Sequence, residues 1–221
     1  MGDFHPAVEE YLETIYELEE AGIVPMRARI VERLGVSAPA VSETVKRLER
    51  EGYLTLEPSS KAMVLTESGR KYATDMVRRH RLAERLLVDV LRVPWHQVHE
   101  EACRLEHAIS DNLERHLVAL LDDPATCPHG NPIPGSARVL PDVATVALAK
   151  APAGLETEVV RIDEQLETDA AGLLLLEQGA LMPGSPGFTV TASTAGAVFV
   201  TSAGGAVEVP AAVAAFVYVR A

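Results

Sequence analysis

Two short helical patterns joined by a glycine-containing turn constrain the fold of this chain more than any other feature. The first pattern runs from Arg27 to Leu34 and stops at Gly35, a residue that favours a left-handed helix end. Ser37 then stands where a side chain caps a second helix, with Pro39 in the first turn, where proline is tolerated. The second pattern continues to Gly52. A turn this short predicts two helices that cross steeply.

The flanking segments extend this pair into a longer order of elements. Apolar residues recur at helical spacing from Val8 to Leu18, ahead of the pair. Two β-rich stretches follow it, Tyr53–Leu56 and Ala62–Thr66, around a turn at Pro58. This order of helices and hairpin is that of a winged helix-turn-helix, which we predict over residues 1–75. The alternative is a plain three-helix cluster.

Charge is distributed unevenly along the chain. The 221 residues include 20 basic and 32 acidic side chains, and the net charge of −12 argues against indiscriminate binding to nucleic acid. Residues 26–92 nevertheless hold 14 Lys and Arg against 9 Asp and Glu, whereas residues 141–221 hold 3 against 9. A basic segment within an acidic protein indicates that one face of the molecule meets phosphates.

A winged helix-turn-helix places the second helix of its pair in the major groove of DNA, with the first residues of that helix nearest the base edges. The predicted base-reading residues are therefore Ser37, Pro39, Ala40, Ser42 and Glu43. Cations around them are predicted to contact phosphates, which positions a protein without specifying sequence; they are Arg27, Arg29, Lys46, Arg47 and Arg50. In a plain three-helix cluster these cations would simply be solvated. The agreement of turn, cap, cations and hairpin favours double-stranded DNA as the partner.

The middle of the chain, residues 76–140, is predicted to be mainly helical. One amphipathic helix runs from Ser68 to near Pro94, and a second runs from Val98 to Leu120. Both have apolar faces broad enough to pack on the first block and on a second chain. We therefore expect a homodimer, which a DNA-reading module of this kind uses to span two half-sites.

The last part of the chain changes character. Residues 122–152 are dense in Pro and Gly and are predicted to form a loop that leads into a linker at 141–152. Residues 153–221 alternate short Val-, Thr- and Phe-rich stretches with Gly or Pro around a helix near Ala170–Gly179. This predicts a small β-barrel-like domain, so the fold class is mainly α with a small β domain.

Composition also restricts the compartment. No apolar run approaches the ~18–20 residues of a membrane span, and the first residues lack the basic-then-apolar pattern of a signal peptide. Cys103 and Cys127 are too few for a disulfide framework. We therefore expect a cytoplasmic protein with no membrane partner.

One run in the middle block has the composition of a metal site. On a helix, His99, Cys103, Glu106 and His107 fall within an arc of about 100°. Thiolate, imidazole and carboxylate together suit a first-row divalent transition metal. Other helices offer further donors, namely the i, i+4 pair His80 and Glu84 and the earlier residue Glu10. The competing interpretation is a charged helix surface with a small core cysteine.

These residues carry a family resemblance. The chain resembles the diphtheria toxin repressor and iron-dependent regulator (DtxR/IdeR) family, which includes a manganese-regulator branch. The resemblance is dense from about residue 10 to 135 and sparse afterwards, and the matching stretches are Tyr11–Glu20, Pro25–Ile30, Ser37–Val45, Arg79–Leu87, Val98–His107 and Gly130–Gly135.

The resemblance implies a transcriptional repressor that binds operator DNA as a dimer when loaded with Fe²⁺ or Mn²⁺ and releases it when metal-free. Co²⁺, Ni²⁺, Zn²⁺ and Cd²⁺ are expected to substitute, and two dimers on one operator is an arrangement that we also consider. It further implies a helical dimerisation and metal-binding domain over residues 76–140 and an SH3-like (FeoA-like) domain over 153–221.

Two metal sites per chain follow from the same resemblance. The site whose occupation permits DNA binding maps to Glu10, Cys103, Glu106 and His107. The ancillary site maps to His80, Glu84 and His99 together with two side chains of the C-terminal domain, Glu164 and Glu167.

Three positions depart from the family pattern. Glu10 stands where iron-responsive members have Met, and Cys103 is a residue that manganese-responsive members lack, so ligand type leaves Fe²⁺ and Mn²⁺ both open. Glu43 replaces the usual Gln of the recognition helix, which predicts a different operator preference. Glu167 replaces Gln in the ancillary site and adds a negative charge that favours a hard cation.

Two other functions were weighed against a metal-dependent repressor. A metalloenzyme is disfavoured because the sequence has no nucleophile–base pair at recognisable spacing, no phosphate-cradling glycine loop and no zincin motif. A thiol- or ligand-responsive winged-helix regulator would use Cys103 and Cys127 as sensors. Cys127 is predicted to lie in an exposed loop, outside both metal sites, and to be incidental.

Overall fold

The computed structural model describes residues 7–194 and 197–221. The described residues divide into two compact units, with the boundary between Arg78 and Arg79. Helices dominate the first unit and the beginning of the second, and strands dominate the rest. Within the described residues, no helix is both long enough and apolar enough to cross a membrane.

Three helices and a hairpin make up most of the first unit. Its elements are α1 (Ala7–Glu20), α2 (Arg27–Leu34), α3 (Ala38–Arg50), β1 (Leu54–Leu56), β2 (Met63–Leu65) and the beginning of α4 (Glu67–Arg85), which continues into the second unit. This is the predicted winged helix-turn-helix order, with β1 and β2 paired antiparallel as the wing.

The predicted turn between α2 and α3 forms from local interactions. Gly35 has a φ of 64°, and its backbone N–H donates to the carbonyl of Val31 at 3.0 Å, which ends α2. The Ser37 hydroxyl accepts from the backbone N–H of Ala40 at 3.4 Å at the beginning of α3. Both predicted helix boundaries are therefore confirmed.

The core of the first unit holds this arrangement together. Each helix contributes the apolar side chains that its spacing predicted, and the wing contributes three more; the residues are Leu12, Ile15, Leu18, Ile30, Val41, Val45, Leu48, Leu54, Met63 and Leu65. The backbone N–H of Met63 donates to the carbonyl of Pro25 at 2.9 Å, which ties the wing to the turn before α2.

The helical part of the second unit is more interrupted than its sequence predicts. After α4, a π-helical turn (Leu86–Val90) and a 3₁₀ turn (Trp95–Gln97) lead to α5 (Val98–Leu105). A further 3₁₀ turn (Glu106–Ala108) separates α5 from α6 (Asp111–Leu120). The single helix predicted from Val98 to Leu120 is wrong, because Ile109 is extended and the Ser110 hydroxyl accepts from the Leu113 N–H, which begins a new helix.

Seven strands and three short helices complete the second unit. They are β3 (Thr145–Ala147), β4 (Glu156–Thr157), β5 (Val159–Ile162), α7 (Glu164–Glu167), α8 (Ala170–Gln178), β6 (Phe188–Thr194), β7 (Ala197–Ser202), β8 (Gly205–Val209), α9 (Ala211–Ala214) and β9 (Val217–Arg220). They form antiparallel sheets of order β3-β9-β5 and β4-β6-β7-β8. Within the described residues the two sheets do not join into the closed barrel that the sequence predicts.

The segment expected to be a linker, residues 141–152, belongs partly to this β region. Residues 145–147 form β3 and pair with β9. Leu148 is completely buried in a core that also includes Ile162, Leu173, Val200 and Val219. Pairing and burial of residues 145–151 therefore shorten the linker, which the local Pro and Ala content did not indicate.

Candidate metal centre and nucleic-acid interface

A buried cluster of polar side chains lies within the second unit. His80 and Glu84 stand one turn apart on α4, at 8% and 0% exposure. His99, on the first turn of α5, and Glu167, at the end of α7, complete it. Spacing of four residues on a helix directs His80 and Glu84 to one side, and the fold of the β region brings α7 to them.

The distances within this cluster are those of ligands around a small ion. Glu84 Oε1 lies 3.4 Å from His80 Nε2 and 3.8 Å from His99 Nδ1. Glu167 Oε2 lies 3.2 Å from His99 Nδ1. One donor atom from each of His80, His99, Glu164 and Glu167 lies within 4.8 Å of the others. The structure thus brings together the residues predicted for the ancillary site.

Several donor atoms of this cluster are buried without a hydrogen bond. They include His80 Nε2, His99 Nδ1, both carboxylate oxygens of Glu84, Glu164 Oε2 and Glu167 Oε2. Leaving a buried polar atom without a partner costs about 1–3 kcal/mol, more for a charged group. A divalent cation bound by these atoms removes that cost, so the residues present fit a metal ion.

Other polar groups fix the orientation of the two α7 carboxylates. Arg81, which is completely buried, donates to Glu164 Oε1 from Nε at 3.1 Å and from its Nη2 at 2.8 Å. The Asn131 side chain donates to Glu167 Oε1 at 2.9 Å and to the carbonyl of Ile162 at 2.8 Å. Each carboxylate therefore has one engaged oxygen and one that faces the cluster, as supporting groups around metal ligands do.

The residues predicted for the activating site are distributed differently. Cys103 Sγ lies 3.7 Å from His99 Nε2 and groups with His80 and His99. Glu106 is buried, and its Oε2 lies 2.5 Å from His80 Nδ1, while its Oε1 lies 3.4 Å from His107 Nε2. In the described part of the chain, Cys103, Glu106 and His107 do not form one group of donor atoms within 4.8 Å.

The reason is the change of helix type after Leu105. The predicted ligand stripe assumes a regular α-helix through His107, whereas Glu106 and His107 lie on a 3₁₀ turn, which has about 3.0 residues per turn. Their directions therefore differ from those that the regular helix gives. Glu10 lies on α1 of the first unit, where it is exposed, and its role as a ligand stays a prediction.

Two further potential ligands, His129 and Cys127, were not among the residues predicted for either metal site. His129 is completely buried, and its Nδ1 lies 3.1 Å from Glu84 Oε1 and 3.0 Å from Glu167 Oε2. Cys127 is also completely buried, so the prediction that it lies in an exposed loop is wrong. Burial there comes from tertiary packing, and the alternation of Pro and Gly around these residues gave no periodicity from which to predict it.

The charges of the cluster shift the pKa values of its members. Burial would lower the pKa of His129, but the charges of Glu167 and Glu84 raise it well above its usual value. Burial would raise the pKa of Glu84, but the charges of His129 and His80 lower it well below its usual value. Without metal, the cluster therefore holds protonated imidazoles among ionised carboxylates.

The two cysteines differ in acidity. Burial would raise the pKa of Cys103, but His80 and His99 lower it, which favours a thiolate that can ligate metal. Burial and the charge of Glu84 raise the pKa of Cys127 to about 12. A completely buried thiol with so high a pKa is a poor redox sensor, which argues against the thiol-responsive alternative.

The first unit presents the predicted DNA-reading face of α3. Exposed residues of that face are Ser37, Pro39, Ala40, Glu43, Lys46 and Arg50, while Ser42 and Arg47 are half-buried. A concave surface is lined by residues of this helix from Pro39 to Arg50. Three residues predicted to read bases and three predicted to contact phosphates therefore share one accessible surface; they are Pro39, Ser42, Glu43, Lys46, Arg47 and Arg50.

The arginines beside this face are not equivalent. Arg29 is exposed and forms an ion pair with Glu32 at 2.7 Å, which reduces the positive charge it offers. The Nε atoms of Arg27 and Arg47 are buried and have no hydrogen bond in the described residues.

The chain combines a winged helix-turn-helix, whose basic helix is accessible, with a buried cluster of imidazole, thiol and carboxylate donors. This combination defines the class of metal-responsive DNA-binding regulators. Comparison with known proteins agrees. The model of the iron-dependent repressor N-terminal DNA-binding domain matches residues 3–62. The model of the iron-dependent repressor metal-binding and dimerisation domain matches residues 66–135.

Individual relatives extend the match beyond these domains. The iron-dependent repressor IdeR of Mycobacterium tuberculosis is 44% identical over 192 residues, 83% of each chain. The diphtheria toxin repressor of Corynebacterium glutamicum is 47% identical over 176 residues, 76% of this chain and 77% of that protein. A solved manganese-dependent transcriptional repressor in complex with manganese superposes with a TM-score of 0.82 at 32% identity, covering 97% of this chain and all of that one.

The chain belongs to the DtxR/IdeR family of iron-dependent repressors. It is a metal-dependent transcriptional repressor and not an enzyme, as the sequence predicted.

Proposed function

We propose that this chain represses transcription by binding double-stranded operator DNA as a homodimer loaded with Fe²⁺ or Mn²⁺. The observation that carries the proposal is the buried cluster of His80, Glu84, His99 and Glu167, whose free donor atoms suit a divalent cation. The apolar faces of the helical segment provide the dimer contact, and the protein acts in the cytoplasm.

The proposal includes two metal sites in each chain, an activating site and an ancillary site. The activating site consists of Glu10, Cys103, Glu106 and His107. The ancillary site consists of His80, Glu84, His99, Glu164 and Glu167. In both sites, a bound metal ion would supply positive charge and directional bonds to the ligand atoms, whose like charges otherwise repel one another.

Residues of the chain itself couple metal binding to DNA binding. The imidazoles of the ancillary site must lose their protons to become ligands, and Arg81 and Asn131 keep the carboxylates of Glu164 and Glu167 oriented meanwhile. Glu10 belongs to the helix that precedes α2 and α3, so loading the activating site restrains the DNA-reading unit. The difference in metal affinity between the restrained and free arrangements is the coupling free energy, typically ~1–3 kcal/mol.

Contacts to DNA divide into two classes. Ser37, Pro39, Ala40, Ser42 and Glu43 read base edges, and Arg27, Arg29, Lys46, Arg47 and Arg50 contact phosphates. Glu43 can accept a hydrogen bond only from a donor such as the N4 amino group of cytosine.

Fluorescence anisotropy on genomic operator fragments tests the proposal. Mn²⁺, Fe²⁺ (kept anaerobic), Co²⁺ or Zn²⁺ is titrated into metal-free protein, and binding is expected to require metal. Activation by Mn²⁺ at concentrations where Fe²⁺ has no effect would show that the Glu10 carboxylate outweighs the Cys103 thiolate. Binding that is independent of every metal would contradict the proposal.

Single substitutions test the activating site. Glu10→Ala and His107→Ala are each expected to leave a folded dimer that no longer binds operator when metal is added. Light scattering measures the dimer, and a mobility shift measures DNA binding. Metal-dependent binding that survives either substitution would remove that residue from the site.

The number of dimers on one operator is a separate point. We propose that two dimers occupy one operator, since a repressor that covers both faces of a duplex blocks it more completely. Analytical ultracentrifugation of the saturated complex gives its mass, and a mass of one dimer per duplex would contradict this arrangement.

A further inference from the structure

A hydrogen bond between Tyr72 and Glu9 joins two helices of the first unit, and the proposed function does not use it. Tyr72 lies on the second turn of α4, and its hydroxyl donates to Glu9 Oε1 at 2.5 Å. A hydrogen bond from a hydroxyl to a carboxylate is short and roughly twice as strong as one between neutral groups. Both side chains are half-buried, so water competes for this bond less than it does on an open surface.

The first turn of α1 is the part of that helix that an outside contact can stabilise most. The first four backbone N–H groups of a helix have no acceptor within it, and helix ends open more easily than the middle. Glu9 and Glu10 both lie in this turn. Successive side chains on a helix point about 100° apart, so a contact that fixes the direction of Glu9 also fixes that of Glu10.

The ring of Tyr72 is itself held in place. It packs on the ring of Tyr53, with the centroids 5.9 Å apart and the planes tilted by 60°, which is a favourable geometry for two aromatic rings. At Gly69, α4 approaches Tyr53 so closely that a Cβ would lie 1.8 Å from the Tyr53 carbonyl oxygen. The Tyr53 N–H donates to the carbonyl of Leu48, in the last turn of α3, at 2.9 Å. Tyr72 therefore reaches α1 from a firmly packed position beside the end of α3.

We infer that Tyr72 is a positioning residue for the activating site. Its hydroxyl holds the first turn of α1 in the form that presents the Glu10 carboxylate to a metal ion. The inference rests on the proposed function, in which Glu10 is a ligand. Without the hydroxyl, the turn is closed in a smaller fraction of the protein, and apparent metal affinity decreases with that fraction. More metal is then needed for activation, whereas the fully loaded protein is unchanged.

Two other roles for this contact predict different results. If Tyr72 only fills space between helices, its hydroxyl is dispensable, and Tyr72→Phe should behave as wild type. If Glu9 is itself the metal ligand, Tyr72→Phe releases the Glu9 carboxylate and should lower the metal concentration needed for activation.

Fluorescence anisotropy with operator DNA separates these roles. Metal-free full chain is titrated with Mn²⁺ and, in parallel, with Co²⁺, which gives the metal concentration for half-maximal DNA binding. A DNA titration at saturating metal then gives the operator affinity. Tyr72→Phe is expected to raise the half-activating metal concentration by roughly fivefold to tenfold and to change the operator affinity by less than about twofold.

Substitutions of Glu9 test the same bond from its other side. Glu9→Ala should reproduce the effect of Tyr72→Phe, whereas Glu9→Gln should stay near wild type, because its amide oxygen still accepts from the Tyr72 hydroxyl. The double variant Y72F/E9A should be no worse than either single variant, since both remove one shared bond. A full loss in Glu9→Gln would overturn the inference in favour of Glu9 as a ligand.

Arg70 provides the matched control. It also joins α4 to α1, through an ion pair with Glu19 at 2.6 Å, but Glu19 lies in the last turn of α1, far from Glu10. Arg70→Ala is therefore expected to leave the half-activating metal concentration unchanged. An increase equal to that of Tyr72→Phe would overturn the specific role of Tyr72.

Hydrogen exchange of the metal-free protein tests the turn without metal or DNA. In a helix, the N–H groups of residues 11–14 donate to the carbonyls of residues 7–10, so they should exchange faster in Tyr72→Phe than in wild type. An unchanged exchange rate would overturn the inference, and so would an operator affinity that decreases at saturating metal as much as the metal requirement increases. Faster exchange in Tyr72→Phe, with wild-type DNA binding that needs no metal, would contradict the proposed function while supporting the hold of Tyr72 on the turn.

Discussion

Glu84 is the residue on which the polar contacts of the second unit converge. It is completely buried, and three imidazoles, those of His80, His99 and His129, lie within 3.8 Å of its Oε1. In the metal-free protein its negative charge compensates theirs, and in the proposed ancillary site it is also a metal ligand. The proposal therefore gives one carboxylate two roles, charge compensation without metal and ligation with it.

Replacing Glu84 by Gln tests the first of these roles. The metal-free variant is expected to lose about 3 kcal/mol of unfolding free energy, because removal of one partner leaves buried charges uncompensated. Urea denaturation at neutral pH measures the loss. Glu100→Gln on α5 is the matched control, since Glu100 is exposed and pairs with the solvent-exposed Arg104; it should change stability by less than about 0.5 kcal/mol. Equal effects of both substitutions would contradict the compensating role of Glu84.

Two glycines with nearly the same backbone conformation allow a second test at the residue scale. Gly130 has a φ of +88°, and a Cβ there would lie 2.2 Å from the carbonyl oxygen of Val160. Gly154 has a φ of +87°, with nothing within 4 Å of its Cβ position. Gly154→Ala is expected to cost about 1 kcal/mol of backbone strain alone.

Gly130→Ala should cost clearly more, about 3 kcal/mol, because the turn must also move away from β5. Thermal denaturation of the two metal-free variants measures the difference. Similar melting temperatures for both glycine variants would show that the turn moves freely.

At the scale of elements, α3 is the part of the first unit that is expected to contact DNA. Lys46→Ala should weaken binding to operator and to unrelated duplexes by similar factors and lower the dependence of log K on log salt by about 1. Anisotropy at several salt concentrations measures the slope. Lys150→Ala, an exposed cation of the β region, is the control and should leave the slope unchanged. A sequence-selective loss with Lys46→Ala would instead make Lys46 a base-reading residue.

Glu43→Gln probes the same helix for sequence reading. Its carboxylate accepts hydrogen bonds but cannot donate, whereas an amide does both, so the preferred base at one operator position should change. Selection of binding sites from a randomised duplex measures the preference. An unchanged consensus would place Glu43 outside the base contacts.

The second unit shows how a short element redirects ligands. The 3₁₀ turn Glu106–Ala108 ends α5 one residue before Glu106, and the α6 cap at Ser110 prevents the helix from continuing. Glu106 thereby reaches His80 on α4. The amphipathic pattern from Val98 to Leu120 did not reveal the break, because two helices in nearly the same phase give the same apolar spacing as one.

At the scale of the whole molecule, metal loading is coupled to protons. The pKa values of His80, His99 and His129 are all raised above the usual value. Burial would lower them, but hydrogen bonds of His80 and His99 with Cys103 and the carboxylate partners of all three outweigh it. A ligating imidazole nitrogen must be unprotonated, so metal binding at pH 7 displaces protons. Metal affinity should therefore rise with pH, by about tenfold per pH unit for each proton displaced.

Calorimetry of zinc binding in buffers of different ionisation enthalpy counts these protons. The expected result is net proton release at pH 7 that declines as the pH is raised above the histidine pKa values. Affinity that stays constant between pH 6 and pH 8 would contradict the protonated state of the metal-free cluster.

The sequence by itself determined the local features of this protein. The boundaries of α2 and α3 follow from Gly35 and Ser37, because a left-handed helix end and a side-chain cap involve neighbouring residues only. Its motifs likewise identified the family, and the ancillary residues they implied, including Glu164 and Glu167, lie together in the structure.

Tertiary structure alone decided how the buried centre is completed. His129 and Cys127 lie in a stretch without periodicity, and their burial depends on Trp95 and β5, which are distant in sequence. Strand pairing of residues 145–147 and the two separate sheets also depend on partners far along the chain. Local spacing encodes helix faces and caps, whereas packing between distant segments determines burial. Burial in turn determines which polar side chains lie close enough to compensate one another's charge.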